Sequence, residues 1–241
     1  MNWYLQNGKE SDVAISTRIR FLRNINGYKF NLNKSEIEQL EKLIQKHTYQ
    51  IGYNLKFFYL NDMDDITKLS LVEKGIIDYN YAFKNKNSGA ILINDEENIC
   101  IIIGEGDHLK IQVFNSGLEL ESTLNLAIEI DKKLEEIFGY AVNKKYGYLT
   151  ACPNNLGTGL KASVKVHLPA LAKTKNEQKV LQAINNFGIN IKGVYDDEGH
   201  NVGDIYEICN KRTLGITENE IIQNIKAIVE SVIKQEREAR R

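Results

Sequence analysis

The feature that most constrains the fold is a run of alternating apolar and polar segments at residues 90–114, AILINDEENICIIIGEGDHLKIQVF. Strand-length apolar segments bounded by polar or glycine-rich turns are typical of hairpins, and turns are expected here at 95–98 and 104–107. Other strand-like segments occupy residues 12–21, 147–152, 162–169, 189–195 and 204–210. Helical segments interrupt these strands as blocks. The pattern therefore predicts an α+β fold with a large, mainly antiparallel sheet flanked by helices.

Helix starts are marked by a Ser or Thr followed three residues later by Glu, the capping-box pattern. It occurs at Ser35 and Glu38, at Thr174 and Glu177, and at Thr217 and Glu220. A further helical pattern runs from Leu120 to about Gly139. The apolar residues in these segments recur with the helical period, so we expect each helix to bury one face in the core.

Charge and cysteine content narrow the class of protein. The chain of 241 residues has a net charge of −1, which favours neither nucleic acid nor an anionic membrane as partner. No apolar run approaches the roughly 20 residues of a membrane span, and no secretory signal is visible at the N-terminus. Cys100, Cys152 and Cys209 are widely spaced, without a CxxC pair. We therefore expect a cytoplasmic protein without a disulfide framework or a zinc site.

Two stretches carry residues suited to phosphate. Arg18 and Arg20 alternate along one strand, so their guanidinium groups share a face and make a fork suited to phosphate oxygens. A solvated strand face is the alternative. Residues 152–164, CPNNLGTGLKASV, form a glycine-rich turn whose amides could approach an anion, with Lys161 just beyond it. The spacing is not that of a Walker A loop, and a structural turn with a buried cysteine remains open.

Two further features have competing readings. The polar segment 192–204, KGVYDDEGHNVGD, is either a mobile loop that closes over a charged ligand or a solvated hairpin loop. His108 and His167 could act as bases, but no neighbouring spacing indicates a triad or metal site, and structural roles are favoured. The stretch 101–112, IIIGEGDHLKIQ, fits a phosphate loop, a turn or the edge of an active site.

Taken together, these stretches resemble the ATP:guanidino phosphotransferases, most closely the bacterial protein-arginine kinases. Residues 147–171, GYLTACPNNLGTGLKASVKVHLPAL, resemble the family signature Cys-Pro-x-Asn-x-Gly-Thr-Gly-Arg followed by a strand that ends in His-Leu-Pro. Residues 16–20, STRIR, resemble Ser-Ser-Arg-Ile-Arg. GEGDHLKIQ occupies the place of Asn-Glu-Glu-Asp-His, and IKGVYDDEG that of Ile-Arg-Gly-hydrophobic-Tyr-Gly-Glu-Gly. The similarity runs in order from about Asp12 to Arg241.

The resemblance implies a fold of the guanidino kinase and glutamine synthetase type. It also implies ATP with Mg²⁺, and transfer of the γ-phosphoryl group to a guanidino nitrogen. Five arginines hold the nucleotide phosphates in the family, and their places here are Arg18, Arg20, Lys110, Lys161 and Lys192. A lysine is a point charge and cannot make the bidentate fork of arginine. We therefore expect the three lysines to weaken stabilisation of the transition state more than ground-state binding.

The resemblance also assigns catalytic positions. Two family carboxylates orient the guanidinium and help to take its proton; one place is Gly106, while Glu105 keeps the preceding carboxylate. Asp197 matches the other carboxylate with a side chain one methylene shorter. Cys152 matches the reactive cysteine expected near the substrate guanidinium. His108 falls within the same motif and is assigned to the nucleotide-binding set, and no protein-held metal is predicted.

The resulting expectation is an ATP-dependent kinase of arginine side chains in proteins. The alternative is a catalytically impaired pseudokinase that binds nucleotide or arginine and regulates a partner, such as an adaptor or a stress-response protease complex. We expect residues 1–241 to form a single guanidino-kinase catalytic domain without the C-terminal domain found in the bacterial enzymes.

Overall fold

The hairpin run at residues 90–114 forms the middle of a large antiparallel sheet. The structure, a computed structural model, describes residues 1–84, 89–174, 188–195 and 201–241. Ten strands occur in these ranges: β1 (Ala14–Arg23), β2 (Lys56–Tyr59), β3 (Ala90–Ile93), β4 (Ile99–Glu105), β5 (Asp107–Ser116), β6 (Val142–Asn143), β7 (Gly147–Tyr148), β8 (Leu160–His167), β9 (Ile189–Tyr195) and β10 (Asn201–Asn210). Eight of them form one sheet in the order β2-β3-β4-β5-β1-β8-β10-β9, with antiparallel neighbours. The predicted α+β class is confirmed.

Five α-helices accompany these strands in the same described ranges. They are α1 (Lys34–Ile51), α2 (Asp65–Glu73), α3 (Leu120–Phe138), α4 (Pro169–Lys173) and α5 (Glu218–Ala239). Shorter 3-10 helices span Trp3–Leu5, Leu60–Asp62 and Pro153–Asn155, and a π-helical turn spans Asn80–Lys84. The strands β6 and β7 pair with each other in a small separate sheet.

The two faces of the large sheet are covered differently. Helices α1, α3 and α5 bury their apolar stripes against one face, where Leu40, Leu124 and Val229 join Ile19 and Ile101 in the main core. On the other face a smaller apolar cluster covers the end built from β3, β4 and β5; its members include Trp3, Leu71, Ile77, Tyr81 and Phe114. The remaining half of this second face, on β1, β8, β10 and β9, carries charged side chains. The asymmetry leaves one polar surface on an otherwise packed sheet.

Two of the predicted helix ends are confirmed, and one is wrong. The capping box of Thr217 and Glu220 is present at α5, and the helix predicted from Leu120 ends at Gly139 as expected. The predicted cap of the first helix, Ser35 with Glu38, is wrong. Asn33 caps α1 instead: its Oδ1 accepts a hydrogen bond from the amide of Glu36, and the Glu36 carboxylate accepts one from the amide of Asn33. Asparagine is as good an N-cap as serine, and it lies one position before the helix.

One predicted strand is shorter than expected, and one predicted helix lies outside the described residues. The strand predicted at 147–152 is limited to Gly147–Tyr148, because the chain then turns into the 3-10 helix Pro153–Asn155. The helix predicted to begin at Thr174 falls on residues outside the described ranges, and Thr174 itself ends α4. The strand β2 and the helix α2 had no counterpart among the sequence predictions.

Candidate active site

The register of the sheet brings the two arginines of β1 onto the uncovered polar face. Arg18 lies directly opposite Ser163 on β8, and Arg20 lies opposite Lys161. The guanidinium of Arg18 forms an ion pair with the carboxylate of Glu207 and donates to the hydroxyl of Ser163 (Nε–Oγ 3.4 Å). Because side chains alternate along a strand, both guanidinium groups project from the same surface.

Arg20 is the more buried cation, and its Nε has no hydrogen-bond partner among the described residues. Burial, together with the charge of Arg18, lowers the pKa of Arg20 to about 10. It therefore remains protonated at neutral pH, with hydrogen-bonding capacity left over. A desolvated cation with an unused donor is suited to an anionic ligand such as a phosphate.

Three lysines that the sequence assigned to phosphates lie on the same polar surface, which also carries Lys165 of β8 opposite Glu207. Lys110 lies on β5 opposite Leu22 of β1, and Lys192 lies on β9 opposite Glu207. The side chains of Arg18, Arg20, Lys110, Lys161 and Lys192 are called the cationic face below. All five are side chains that the sequence assigned to nucleotide phosphates, and the strand register places them on one face of the sheet, on β5, β1, β8 and β9. Their concentration favours a polyanionic ligand.

Lys161 lies near the centre of this charge cluster. Burial lowers its pKa, and the charges of Arg20 and Lys192 lower it further, while the nearby Cys209 and Cys152 act in the opposite direction. These mutual effects show that Lys161 is within electrostatic reach of both cysteines. The cationic face is therefore next to the segment that carries Cys152.

The turn between β4 and β5 lies at the edge of the cationic face. Glu105 forms an ion pair with Lys110 (Oε2–Nζ 2.5 Å), so its carboxylate is directed at the cationic face. Gly106 has a φ of +81°, and a Cβ built there would meet no atom within 4 Å. Gly106 therefore leaves open space where a side chain would stand.

A buried hydrogen-bond network ties this turn to the segment before Cys152. Asp107 Oδ1 accepts hydrogen bonds from Asn24 Nδ2 (2.6 Å) and from the amide of Ala151 (2.6 Å). Asn24 also donates to the carbonyl of Leu149 (3.0 Å) and accepts from the amide of His108 (3.0 Å). Sequence reasoning missed both Asn24 and the structural role of Asp107, since nothing in their local pattern distinguishes them from other turn residues. The network fixes the distance between the two loops.

His108 has a structural role in this arrangement. Its Nδ1 accepts a hydrogen bond from the amide of Ile25 (2.9 Å), and its Nε2 donates to the carbonyl of Lys29 (2.8 Å). Burial lowers its pKa, which keeps the ring neutral at physiological pH. Both ring nitrogens are hydrogen-bonded to backbone groups, so neither is free to bind nucleotide. A structural role for His108 is therefore favoured over the predicted role in nucleotide binding. His167 is exposed at the end of β8.

The turn after Cys152 is held by internal hydrogen bonds. The amide of Thr158 donates to the carbonyl of Thr213 (3.0 Å), and the Thr213 hydroxyl donates to the carbonyls of Asn154 and Leu156. The amides of Asn155, Leu156 and Gly157 likewise donate to protein carbonyls. The suggestion that these amides cradle an anion is therefore wrong for this conformation. The turn instead presents Cys152, which is exposed, and leads into Lys161.

Glu207 is a site residue that the sequence reasoning missed. Burial alone would raise its pKa, but Arg18, the hydroxyl of Ser163 and Arg20 outweigh this effect and lower it. Glu207 is therefore an ionised counterion among the cations. Strict alternation in β10 was the signal that could have found it, because it puts Glu207 on the same face as Cys209.

Some predicted features lie beyond the described residues. Asp197, with its neighbours Asp196 and Glu198, belongs to residues 196–200, for which no structure is described. In the described part of the chain, no group of three or more His, Cys, Asp or Glu is placed to hold a metal ion. No helix there is long and apolar enough to cross a membrane.

Comparison with known sequences decides the family. The sequence model of the ATP:guanido phosphotransferase C-terminal catalytic domain matches residues 36–239. The chain belongs to the ATP:guanido phosphotransferase family. It is 41% identical to a protein-arginine kinase of Halothermothrix orenii and 39% identical to one of Halalkalibacterium halodurans. The matches cover 99% of this chain and 69% and 68% of those relatives.

Solved guanidino kinases share the fold. The duplicated taurocyamine kinase of Schistosoma mansoni, with bound components of a transition-state analogue, superimposes with a TM-score of 0.82 at 26% identity. That match covers 94% of this chain and 33% of the duplicated enzyme, so this chain spans about a third of it. Lombricine kinase gives a TM-score of 0.78 at 25% identity, over 96% of this chain and 68% of that one.

In this ATP:guanido phosphotransferase, the five side chains of the cationic face are all basic, and the turn at Gly106 is tied to the segment before Cys152. The assignment of these residues to phosphate and guanidino binding stays a prediction.

Proposed function

We propose that the chain transfers the γ-phosphoryl group of ATP to the guanidino group of arginine side chains in proteins. The observation that carries the proposal is the cationic face: five cations on one face of the sheet, beside the loop of the exposed Cys152. Membership of the family supports ATP-dependent phosphoryl transfer to a guanidino group. The names of the bacterial relatives support a protein substrate.

The cations would bind the triphosphate in two ways. Arg18 and Arg20 can each make paired hydrogen bonds to phosphate oxygens, whereas the three lysines act as point charges. Since phosphoryl transfer depends mainly on positioning and on compensation of developing charge, these groups supply most of the expected stabilisation. Arg18 must share or release Glu207 when a phosphate binds.

Mg²⁺ would accompany ATP, as is usual for kinases, bound to the phosphates and one or two carboxylates. When bound, it neutralises phosphate charge. Glu105 and Glu207 are the carboxylates next to the cationic face, and both already have cationic partners. Neither is free while these ion pairs persist, so Mg²⁺ would be held mainly by the ATP phosphates and water.

The substrate arginine presents a proton problem, because a guanidinium has a pKa above about 12 and is a poor nucleophile until a carboxylate holds it. Glu105 is a described carboxylate of the turn, but it faces Lys110. Asp197 is the other proposed carboxylate. Cys152 would lie against the substrate guanidinium, on the side away from the transferred phosphoryl group.

Residues 1–241 are proposed to act as one catalytic domain, in the cytoplasm.

The second candidate is a nucleotide- or arginine-binding regulatory module, a pseudokinase that acts on an adaptor or a protease complex. A specific observation favours it: Gly106 opens onto empty space where the family pattern has a carboxylate. The loss of a positioned base lowers rates by roughly 10²–10⁴. Binding would survive such a loss while turnover would become slow.

Phosphotransfer to an arginine-rich protein separates the two functions. The chain, at high concentration with ATP and Mg²⁺, should produce acid-labile phosphate on arginine, and Cys152→Ala should abolish it. ATP binding by calorimetry without any such product would reject the kinase and support the regulatory module. If ATP does not bind at all, the kinase is rejected, and the regulatory module survives only if the chain binds arginine.

A further inference from the structure

A second polar pocket lies between α1 and the 3-10 helix that follows β2. Its volume is about 300 Å³, at the lower end of the range for ligand pockets. It shares no lining residue with the cationic face. The polar residues that line it are Glu38, Glu41, Lys42, Tyr59, Asn61 and Asp62. Three carboxylates and one ammonium group give the pocket a negative balance, opposite in sign to the cationic face.

Glu41 forms the buried end of this pocket. Only 2% of the residue is exposed, and its Oε1 has no hydrogen-bond partner in the part of the chain that is described. A buried, unpaired carboxylate is costly, since desolvation is not repaid by any partner. Burial, and then the charge of Glu38 one turn earlier, raise the pKa of Glu41 to about 7. The Glu41 carboxylate therefore has no cationic partner in the described part of the chain, although the pocket beside it has room for one.

We propose that this pocket binds the guanidinium group of an arginine side chain presented by a partner protein. The carboxylate of Glu41 would accept one of its hydrogen bonds at the buried end, and Glu38 and Asp62 would compensate its charge nearer the opening. This site is separate from the proposed catalytic one, and it stands whether or not the chain transfers phosphate.

The chemistry of the lining favours a guanidinium over an ammonium ion. Glu41 lies at full burial, so the ligand must shed its water to reach it, and a guanidinium is more weakly hydrated than an ammonium. Tyr59 lines the pocket and is half-buried, which offers an aromatic surface for a planar cation. The guanidinium also has five donors, which suits carboxylates contributed by both α1 and the 3-10 helix.

Blocked arginine tests the site on the full chain without ATP. Titration with Nα-acetyl-L-arginine amide should give saturable binding, with amide NMR shifts in α1 and around Asp62. The matched neutral ligand, Nα-acetyl-L-citrulline amide, should bind at least tenfold more weakly. Glu41→Gln should weaken arginine binding at least tenfold, while Glu230→Gln, an exposed change on α5, should alter it less than twofold.

The pH dependence gives a second readout. Because Glu41 is about half ionised at pH 7, its charged fraction rises about tenfold from pH 6 to pH 8, and affinity should rise with it. Glu41→Gln should remove that rise. The other charged groups facing the pocket are Glu38, Asp62 and Lys42, with Tyr59 as the remaining titratable group.

Several results would overturn the proposal. Unchanged affinity in Glu41→Gln, equal binding of the citrulline ligand, or shifts confined to residues 105 and 152 would each reject this pocket. Binding of free L-arginine but not of the blocked form would reject a protein side chain as the source. Thermal unfolding confirms that Glu41→Gln is folded; if it is not, Glu38→Gln replaces it, with an expected loss of about threefold.

Discussion

Two glycine-containing turns meet at the candidate site, and their glycines differ in what requires them. A Cβ on Gly157 would overlap the carbonyl oxygen of Thr213, and one on Gly159 would come within 2.6 Å of Arg23 Nη1 and 2.7 Å of Leu22 O. A Cβ on Gly106 would touch nothing within 4 Å. All three have positive φ, but only the first two are enforced by their surroundings.

The difference shows that packing requires the glycines of one turn but not the glycine of the other. The turn at 152–159 is packed so closely that glycine is the residue that fits, and it holds Cys152 and Lys161 in place. The turn at 105–107 has an open position at its tip, so the packing around it does not require glycine there. The two turns therefore respond to substitution in opposite ways.

The largest expected effect is a gain of activity in Gly106→Glu. Restoring a carboxylate beside the guanidino substrate should raise the rate of phosphotransfer by roughly 10²–10⁴, the usual contribution of a positioned base. The space at the turn accepts the side chain, although the positive φ costs about 1 kcal/mol of stability. Rates with an arginine-rich protein substrate measure the gain. Gly106→Gln is the matched control, and an equal gain in that variant would exclude a role for the negative charge.

Alanine at the two turns tests the packing side of the comparison. Gly157→Ala should lower the free energy of unfolding by about 3–5 kcal/mol, because strain at positive φ adds to overlap with backbone. Gly106→Ala should cost only about 1 kcal/mol, from the backbone conformation alone. Denaturant unfolding of both variants provides the measurement. Similar losses at the two positions would contradict the distinction drawn between the turns.

Asp107 connects the two turns, and its removal should uncouple them. Asp107→Ala leaves the amide of Ala151 without its acceptor, which should cost about 2–3 kcal/mol. Asp107→Asn keeps an acceptor oxygen without the charge and should cost about half as much. Urea unfolding gives the stability, and the reactivity of Cys152 towards a thiol reagent reports whether its loop has moved. An unchanged thiol rate in Asp107→Ala would show that the loop is fixed by other contacts.

The sequence predicted the strands of the sheet better than the contacts between its loops. Alternation and turn residues were enough to find β1, β3, β4, β5, β8, β9 and β10, since each has a strong local pattern. The short β2 and α2 lack such a pattern. The network of Asn24, Asp107 and Ala151 joins residues far apart in the chain, which a local reading cannot pair. The orphaned carboxylate of Glu41 depends on burial, which the helical period alone does not specify.

The smallest expected effect concerns the carboxylate that the site does have. Glu207 neutralises Arg18, so this carboxylate competes with a phosphate for the guanidinium. Glu207→Gln should release Arg18 and tighten ATP binding about two- to fivefold, as expected for a partly exposed ion pair. The lowered pKa of Glu207 means that it is ionised throughout pH 6–8, so the gain should be the same across this interval. Its stabilising charge would be lost only as the pH falls through that lowered value. Calorimetric ATP titration at pH 6 and at pH 8 measures the gain. Weaker binding in Glu207→Gln would mean that Glu207 orients Arg18 for the phosphate rather than competing with it.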